Sequence, residues 1–103
     1  IKLLLRQEPE APYLHFALGT LFVAQGRWPE AQQAFFDAYR YDSVRADYAF
    51  NLAVALDRLG QRGAAVGYYR RALELSRSGA SSFNTADVER RIDTLATRGG
   101  GRQ

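Results

Sequence analysis

Apolar residues recur in two stretches of the chain at the spacing of one helical face. Both stretches place them at positions i, i+4, i+7 and i+8, as Leu14, Leu18, Leu21 and Phe22 and then as Tyr48, Leu52, Ala55 and Leu56. A glycine, Gly26 or Gly60, follows each stretch, and glycine accepts the left-handed backbone angles that end many helices. Pro29 then suits the first turn of a following helix, because its missing N–H costs little there. The pattern predicts pairs of helices joined by short turns.

The same pattern returns at a fixed period of about 34 residues, a length within the range of structural repeats. Between residues 12–45 and 46–79 this offset superimposes five identical pairs, namely Phe16 on Phe50, Leu18 on Leu52, Gly26 on Gly60, Ala31 on Ala65 and Ala38 on Ala72. Downstream of each glycine, small and large apolar residues alternate along a second helix, as Ala31, Phe35, Ala38 and Tyr39 and then as Ala65, Tyr69, Ala72 and Leu73. A fixed period of this kind is the signature of stacked repeats. We therefore predict helical hairpins arranged in series.

The N-terminal end of the chain fits the same 34-residue period, whereas the match fades beyond the second block. Pro9 lies one period before Ser43, so residues 1–10 are predicted to be the trailing helix of a truncated preceding repeat. The chain begins at Ile1 rather than Met, and we expect it to be part of a longer protein. The apolar residues of this truncated N-terminal helix lack the partner helices of their own repeat. They could be covered by a second copy of the chain, so a homodimer through this helix is possible.

A last amphipathic segment follows the two hairpins. Asn84 is a good N-cap residue, and Asp87 suits the first turn of a helix. One apolar face follows, formed by Val88, Ile92, Leu95 and Ala96. A terminal helix that buries one face and exposes its polar face to solvent caps the core of a solenoid. Residues 80–97 are therefore predicted to be a capping helix, and residues 98–103 a disordered tail.

The two central blocks resemble the tetratricopeptide repeat family. Residues 11–45 carry its signature residues at the family's spacing, namely Leu18, Gly19, Phe22, Gly26, Trp28, Ala31, Phe35 and Ala38. Residues 46–79 keep most of them, namely Leu52, Leu56, Gly60, Ala65, Tyr69 and Ala72. The resemblance implies an all-α fold, a helical-hairpin solenoid (a tetratricopeptide-like superhelix) with a C-terminal capping helix. It also implies non-catalytic protein–protein recognition.

The second block departs from the family pattern at several positions. Ala53 stands where a glycine is usual, and Arg62 stands where an aromatic residue is usual. Neither block ends in the usual proline, since Ser43 and Arg77 occupy those positions. These departures lie within what this degenerate family tolerates.

The first helices of stacked helical hairpins line the concave side of the array. In each first helix, one apolar face is assigned to packing inside the hairpin. The remaining residues are predicted to face this groove, and they are Tyr13, Phe16, Ala17, Thr20, Val23, Asp47, Phe50, Asn51, Val54 and Asp57. The rings of Phe16 and Phe50 would anchor an extended or helical peptide, and Asn51 could pair with its backbone amides. The alternative is that both rings complete the packing between neighbouring first helices.

Some family members clamp a partner's C-terminal carboxylate with Lys, Asn and Arg side chains. Only Asn51 matches that pattern here, because Phe16 and Thr20 replace the pair of the first repeat, and Ser81 and Thr85 replace the cations of the third. The groove is predicted to be apolar and mildly acidic, and suited to a hydrophobic or basic segment.

The charge distribution raises a second hypothesis. The chain has 14 basic and 11 acidic residues, with a net charge of −1 over residues 1–51 and +4 over residues 52–103. Because Arg binds phosphate bidentately, a helical-repeat array could bind RNA or another polyanion through its Arg-rich C-terminal half. The excess is small and lacks a dense cluster, and the groove offers Asp47 and Asp57 rather than cations, so a protein partner is favoured over nucleic acid.

Other chemistry finds little support in the residues. The chain has no Cys, and His15 is its single histidine, so neither a metal site nor a catalytic centre is predicted. No cofactor and no small-molecule substrate are expected, and no apolar run approaches the ~20 residues that cross a bilayer. Trp28 could anchor a partner, but it occupies the family's aromatic packing position.

We therefore expect a protein–protein interaction scaffold that binds a protein or peptide partner in the groove. The Arg-rich and Ala-rich character resembles tetratricopeptide proteins of bacterial assemblies such as pilus and secretion machinery. Such a role is compatible with the cytoplasm or with an envelope assembly.

Overall fold

Six α-helices and no strand make up the described part of the chain, residues 1–100, in the computed structural model; side chains are described for residues 1–97. The helices are α1 (Lys2–Gln7), α2 (Pro12–Ala24), α3 (Trp28–Tyr41), α4 (Ala46–Arg58), α5 (Arg62–Ser76) and α6 (Thr85–Gly100). The all-α, helical-hairpin fold expected from the sequence is confirmed.

The turns inside the two hairpins are built alike. Gly26 has a φ of 71° and Gly60 a φ of 79°, so both lie in the left-handed region. The residue after each glycine donates its N–H to the carbonyl five positions earlier, at 2.9 Å in both turns. This is the hydrogen-bond pattern of a helix end closed by a left-handed glycine. It reverses the chain over a short turn and lays α3 against α2, and α5 against α4.

The apolar core runs along the array. Each helix packs mainly on its neighbours in sequence, and the described residues extend over 49 × 30 × 19 Å. Small residues of the second helices are completely buried opposite large ones, with Ala31, Ala38, Ala65 and Ala72 at 0% exposure. The largest fully buried side chains are Phe35 and Leu52. The alternation of small and large residues thus lets the helices approach closely.

The closest approach in the first hairpin lies at Gly19. A Cβ atom there would lie 2.5 Å from Cε1 of Phe35, so only glycine fits while that ring keeps its position. The second hairpin has Ala53 at the equivalent place, where it is fully buried. The departure from the family pattern at Ala53 therefore places a methyl group inside the core of the second hairpin.

α6 begins at Thr85, directly after the predicted N-cap residue Asn84. A connection over residues 77–84 precedes it, so residues 80–84 of the predicted segment 80–97 lie before the helix. The buried residues of α6 are Val88, Ile92 and Leu95. A strict 34-residue period after Leu52, Leu56 and Leu59 would place them two positions earlier in the chain. The Oδ1 atom of Asn84 accepts the N–H of Asp87 at 3.0 Å, which is the expected N-cap bond.

The C-terminal boundary also differs from the prediction. α6 runs to Gly100, so residues 98–100 continue the helix instead of forming part of a disordered tail, and residues 101–103 lie outside the described residues. Glycine lowers helix propensity by about 1 kcal/mol per residue, which does not prevent a helix that has already formed from continuing. Ala96, predicted on the apolar face, is exposed.

α1 is a six-residue helix at the N-terminal end of the array. It packs on α2 over a small area and buries no residue completely. Ile1, Leu3 and Leu4 are exposed by 38%, 64% and 46%. Across residues 1–100, no helix combines the length and the apolar character that crossing a membrane requires.

Candidate functional site

The first-repeat half of the predicted groove is open around Tyr13. This ring is 58% exposed, and its hydroxyl donates to Oε1 of Glu8 at 3.3 Å. Thr20 is exposed as well, but its hydroxyl donates to the carbonyl of Phe16 at 3.0 Å. Ala17 is half-buried beside them. This half of the groove offers an aromatic surface with few free polar groups.

Phe16 is only partly available to a partner. Its ring centroid lies 5.6 Å from that of Phe35 and 5.1 Å from that of Tyr48. From its position on α2, Phe16 therefore packs against α3 and α4, and its side chain remains half-buried. Val23, further along α2, is also half-buried and packs on the main core.

Residues 82 and 83 contact the second-repeat half of the groove. Oδ1 of Asp47 accepts the N–H of Ser82 at 2.9 Å. The ring of Phe50 stacks on that of Phe83, with centroids 4.6 Å apart and planes 14° apart, and lies 6.1 Å from Tyr69. The connection that leads into α6 therefore covers part of the surface assigned to the groove.

Asp57 joins three helices. It accepts hydrogen bonds from Nε and Nη2 of Arg91 on α6, both at 2.7 Å, and from the hydroxyl of Tyr69 on α5 at 2.9 Å. These Arg91 bonds lower the pKa of the Asp57 carboxyl, and burial together with the bond to Asp57 raises the pKa of Tyr69. With these partners around it, the Asp57 side chain is only 10% exposed to solvent. Asp57 is therefore a structural ion-pair partner, and its charge is not free in the groove.

Asn51 and Val54 lie between these contacts on α4. The amide of Asn51 donates to the carbonyl of Asp47 at 2.8 Å, so one of its donors is used within the helix. Val54 is half-buried and packs against the main core. Both side chains remain partly exposed on the predicted groove face.

A cleft of about 420 Å³ opens where α4, α5 and the start of α6 meet. Its lining combines aromatic rings with polar side chains, namely Phe50, Tyr69, Ser82, Phe83, Asn84, Asp87, Val88 and Arg91. Phe83 and Arg91 are not among the residues predicted from the sequence to line the groove. One signal could have found Arg91, because it follows Asp57 by one repeat period and has the opposite charge.

A family model described as tetratricopeptide repeat matches residues 3–40 and 16–82. The chain belongs to the tetratricopeptide repeat family. Repeats of this family generally mediate protein–protein interaction and are typically non-catalytic scaffolds. A search of curated proteins gave no match.

The remaining candidate residues of this tetratricopeptide array serve packing. Nε2 of His15 lies 2.7 Å from the carbonyl of Pro9, and its ring stacks on Tyr41 at 5.4 Å. The guanidinium of Arg58 lies 4.9 Å from the ring centroid of Trp28, which packs on the main core. Within the described residues, no group of three or more His, Cys, Asp or Glu side chains is placed to hold a metal ion.

Proposed function

We propose that this chain binds an extended peptide segment of a partner protein along the concave face of α2 and α4 and into the cleft beside α6. The observation that carries the proposal is the open cleft beside Phe50, whose lining contains three aromatic rings. Exposed Tyr13 extends the aromatic surface along the first repeat. Buried aromatic area is the usual anchor of peptide recognition in grooves.

The charges favour a protein over a polyanion as the partner. Three arginines of the C-terminal half are held by carboxylates, since Arg71 pairs with Glu74, Arg90 with Asp87 and Arg91 with Asp57. Binding to a nucleic acid depends on cations that are free to neutralise its phosphates and so release the counterions condensed on it. This pairing reduces the charge available for RNA.

The test is a peptide array probed with the wild-type chain and with two groove variants, Tyr13→Ser and Phe83→Ser. Phe36→Ser is the matched control, because Phe36 is a 38% exposed aromatic residue on α3, outside the predicted groove. We expect both groove variants to lose the captured peptides and the control to keep them, with helical circular dichroism unchanged in all three. Equal capture by all variants would refute the groove.

A labelled random RNA pool at two salt concentrations tests the polyanion alternative. Tight binding that weakens steeply with salt would overturn the proposal in favour of nucleic acid. Weak binding with a shallow salt dependence is the expected result.

Two finer parts of the proposal concern assembly. A role in a larger bacterial complex, such as pilus or secretion machinery, rests on the resemblance in composition.

A homodimer through α1 is supported by the exposure of Ile1, Leu3 and Leu4. Sedimentation over a range of concentrations tests the dimer, which Leu3→Glu should abolish and Val44→Glu, at a 71% exposed site outside α1, should leave unchanged.

A further inference from the structure

We propose that the cleft beside Phe50 and Phe83 takes one large apolar side chain of an extended partner segment, and that Asp47 pairs with a Lys or Arg two positions away from it. This inference rests on the proposed function and specifies the chemistry of the partner. It predicts a peptide with a large apolar residue and a cation in alternate positions.

The apolar part of the subsite is formed by side chains of α4, α5, the connection over residues 77–84 and α6. The stacked rings of Phe50 and Phe83 lie beside Tyr69 and Val88 in the lining of the cleft. A volume of about 420 Å³ lies within the roughly 300–1,000 Å³ typical of ligand pockets. The cleft can therefore take a side chain such as Phe or Leu together with its adjoining backbone.

The charge preference follows from which carboxylates near this subsite are already paired. Asp57 is held by Arg91 and Asp87 by Arg90. Asp47 has no cationic side chain within ion-pair distance among residues 1–97, whose side chains the structure describes. Its negative charge is therefore not neutralised by a side-chain ion pair among these residues, and it favours a basic partner.

The position of the Asp47 carboxylate is fixed by the chain itself. Oδ1 accepts the N–H of Ser82 at 2.9 Å, which leaves Oδ2 available to a partner's ammonium or guanidinium group. An asparagine at this position could keep the bond to Ser82 through its own oxygen while losing the charge. The substitution thus separates the electrostatic role from the structural one.

The spacing follows from helix and strand geometry. Asp47 and Phe50 stand at i and i+3 on α4, so they are neighbours on its surface, with Cβ atoms about 5–6 Å apart. Alternate side chains of an extended segment point the same way and are about 6.6 Å apart, because each residue advances the chain by about 3.3 Å. One intervening residue in the partner therefore matches the spacing on the protein.

The experiment uses fluorescence anisotropy with labelled ten-residue peptides in a Gly/Ser background. The first peptide carries Phe and, two positions later, Lys; the second has Gln in place of Lys; the third has Ala in place of Phe. Each is titrated against the wild-type chain, Asp47→Asn and the control Asp93→Asn, which removes an exposed charge from α6. We expect Asp47→Asn to weaken the Lys peptide about two- to fivefold at low salt, the range of a single exposed ion pair.

The Gln peptide should bind all three proteins equally, and the Ala peptide should bind weakest. Equal loss for the Lys and Gln peptides with Asp47→Asn would overturn the ion pair, because it would show a structural effect. Failure of the Phe peptides to exceed the Ala peptide would overturn the subsite. In either case capture on the peptide array would still decide the groove itself, so the two failures are distinguishable.

Discussion

Replacement of Arg91 by glutamine should loosen the attachment of α6 to the second repeat. The guanidinium makes two hydrogen bonds of 2.7 Å to Asp57, whose side chain is 10% exposed, whereas that of Arg91 is 44% exposed. The pair therefore lies between an exposed ion pair, worth about 0.2–1 kcal/mol, and a well-shielded charge-assisted bond, worth about 1.5–3 kcal/mol. We expect a loss of about 1–2 kcal/mol in the free energy of unfolding, between those two limits.

Urea unfolding of Arg91→Gln, Asp57→Asn and the double variant measures this contribution as a coupling free energy. Arg90→Gln is the matched control, because its pair with Asp87 is exposed on both sides and should contribute about 0.5 kcal/mol or less. A coupling free energy no larger than the effect of the control substitution would refute the assignment of Asp57 as the junction of three helices.

The same pair predicts a pH dependence with a definite sign. Arg91 lowers the pKa of Asp57 in the folded chain, so the stabilisation is complete above the unfolded carboxyl pKa of about 3.9. It is lost as the pH falls through the lower pKa of the folded state. The effect of Arg91→Gln should therefore shrink as unfolding is measured at increasingly acidic pH, and an effect independent of pH would contradict the ionic interpretation.

Three further predictions test the packing. Gly19→Ala should destabilise by about 0.5–2 kcal/mol in urea unfolding, since crowding of Phe35 outweighs a helix-propensity gain of about 1 kcal/mol; a more stable variant would contradict this. Leu52→Ala should cost about 2–5 kcal/mol, and a smaller loss would mean that the core collapses around it. Because burial raises the pKa of Tyr69, stability should fall above about pH 10, and Tyr69→Phe should remove that part of the fall.

The hairpins could be predicted from the sequence because a helical stripe of apolar residues requires a facing helix. Phe35 and Tyr69, which occupy the same position in successive repeats, are accordingly both buried. The start of α6 could be predicted from the N-cap residue Asn84. The shift of its buried residues by two positions from the repeat period could not, because the connection before it has no apolar periodicity. Helix continuation through Gly100 was missed because glycine lowers propensity without forbidding a helix.

The groove was harder to predict than the fold. Assigning the apolar face of each first helix to packing, and the other residues to the groove, accounts for the contacts inside a hairpin. It omits the contacts between successive first helices. Phe16 carries such a contact with Tyr48, and Asp57 carries one with Arg91, while Phe50 stacks on Phe83 in the connection before α6. These depend on how the hairpins stack, which the period alone does not specify.

The restriction of extensive packing to helices that are consecutive in sequence has a kinetic consequence. Contacts that are local in sequence close small loops, so folding should be fast and can begin at any hairpin of the array. Cooperativity between distant units is weak in such an array, and local opening should begin where the interface is smallest. Amide hydrogen exchange should therefore be fastest in α1, which buries no residue, and slowest in α4, which buries more residues than α2, α3 or α5.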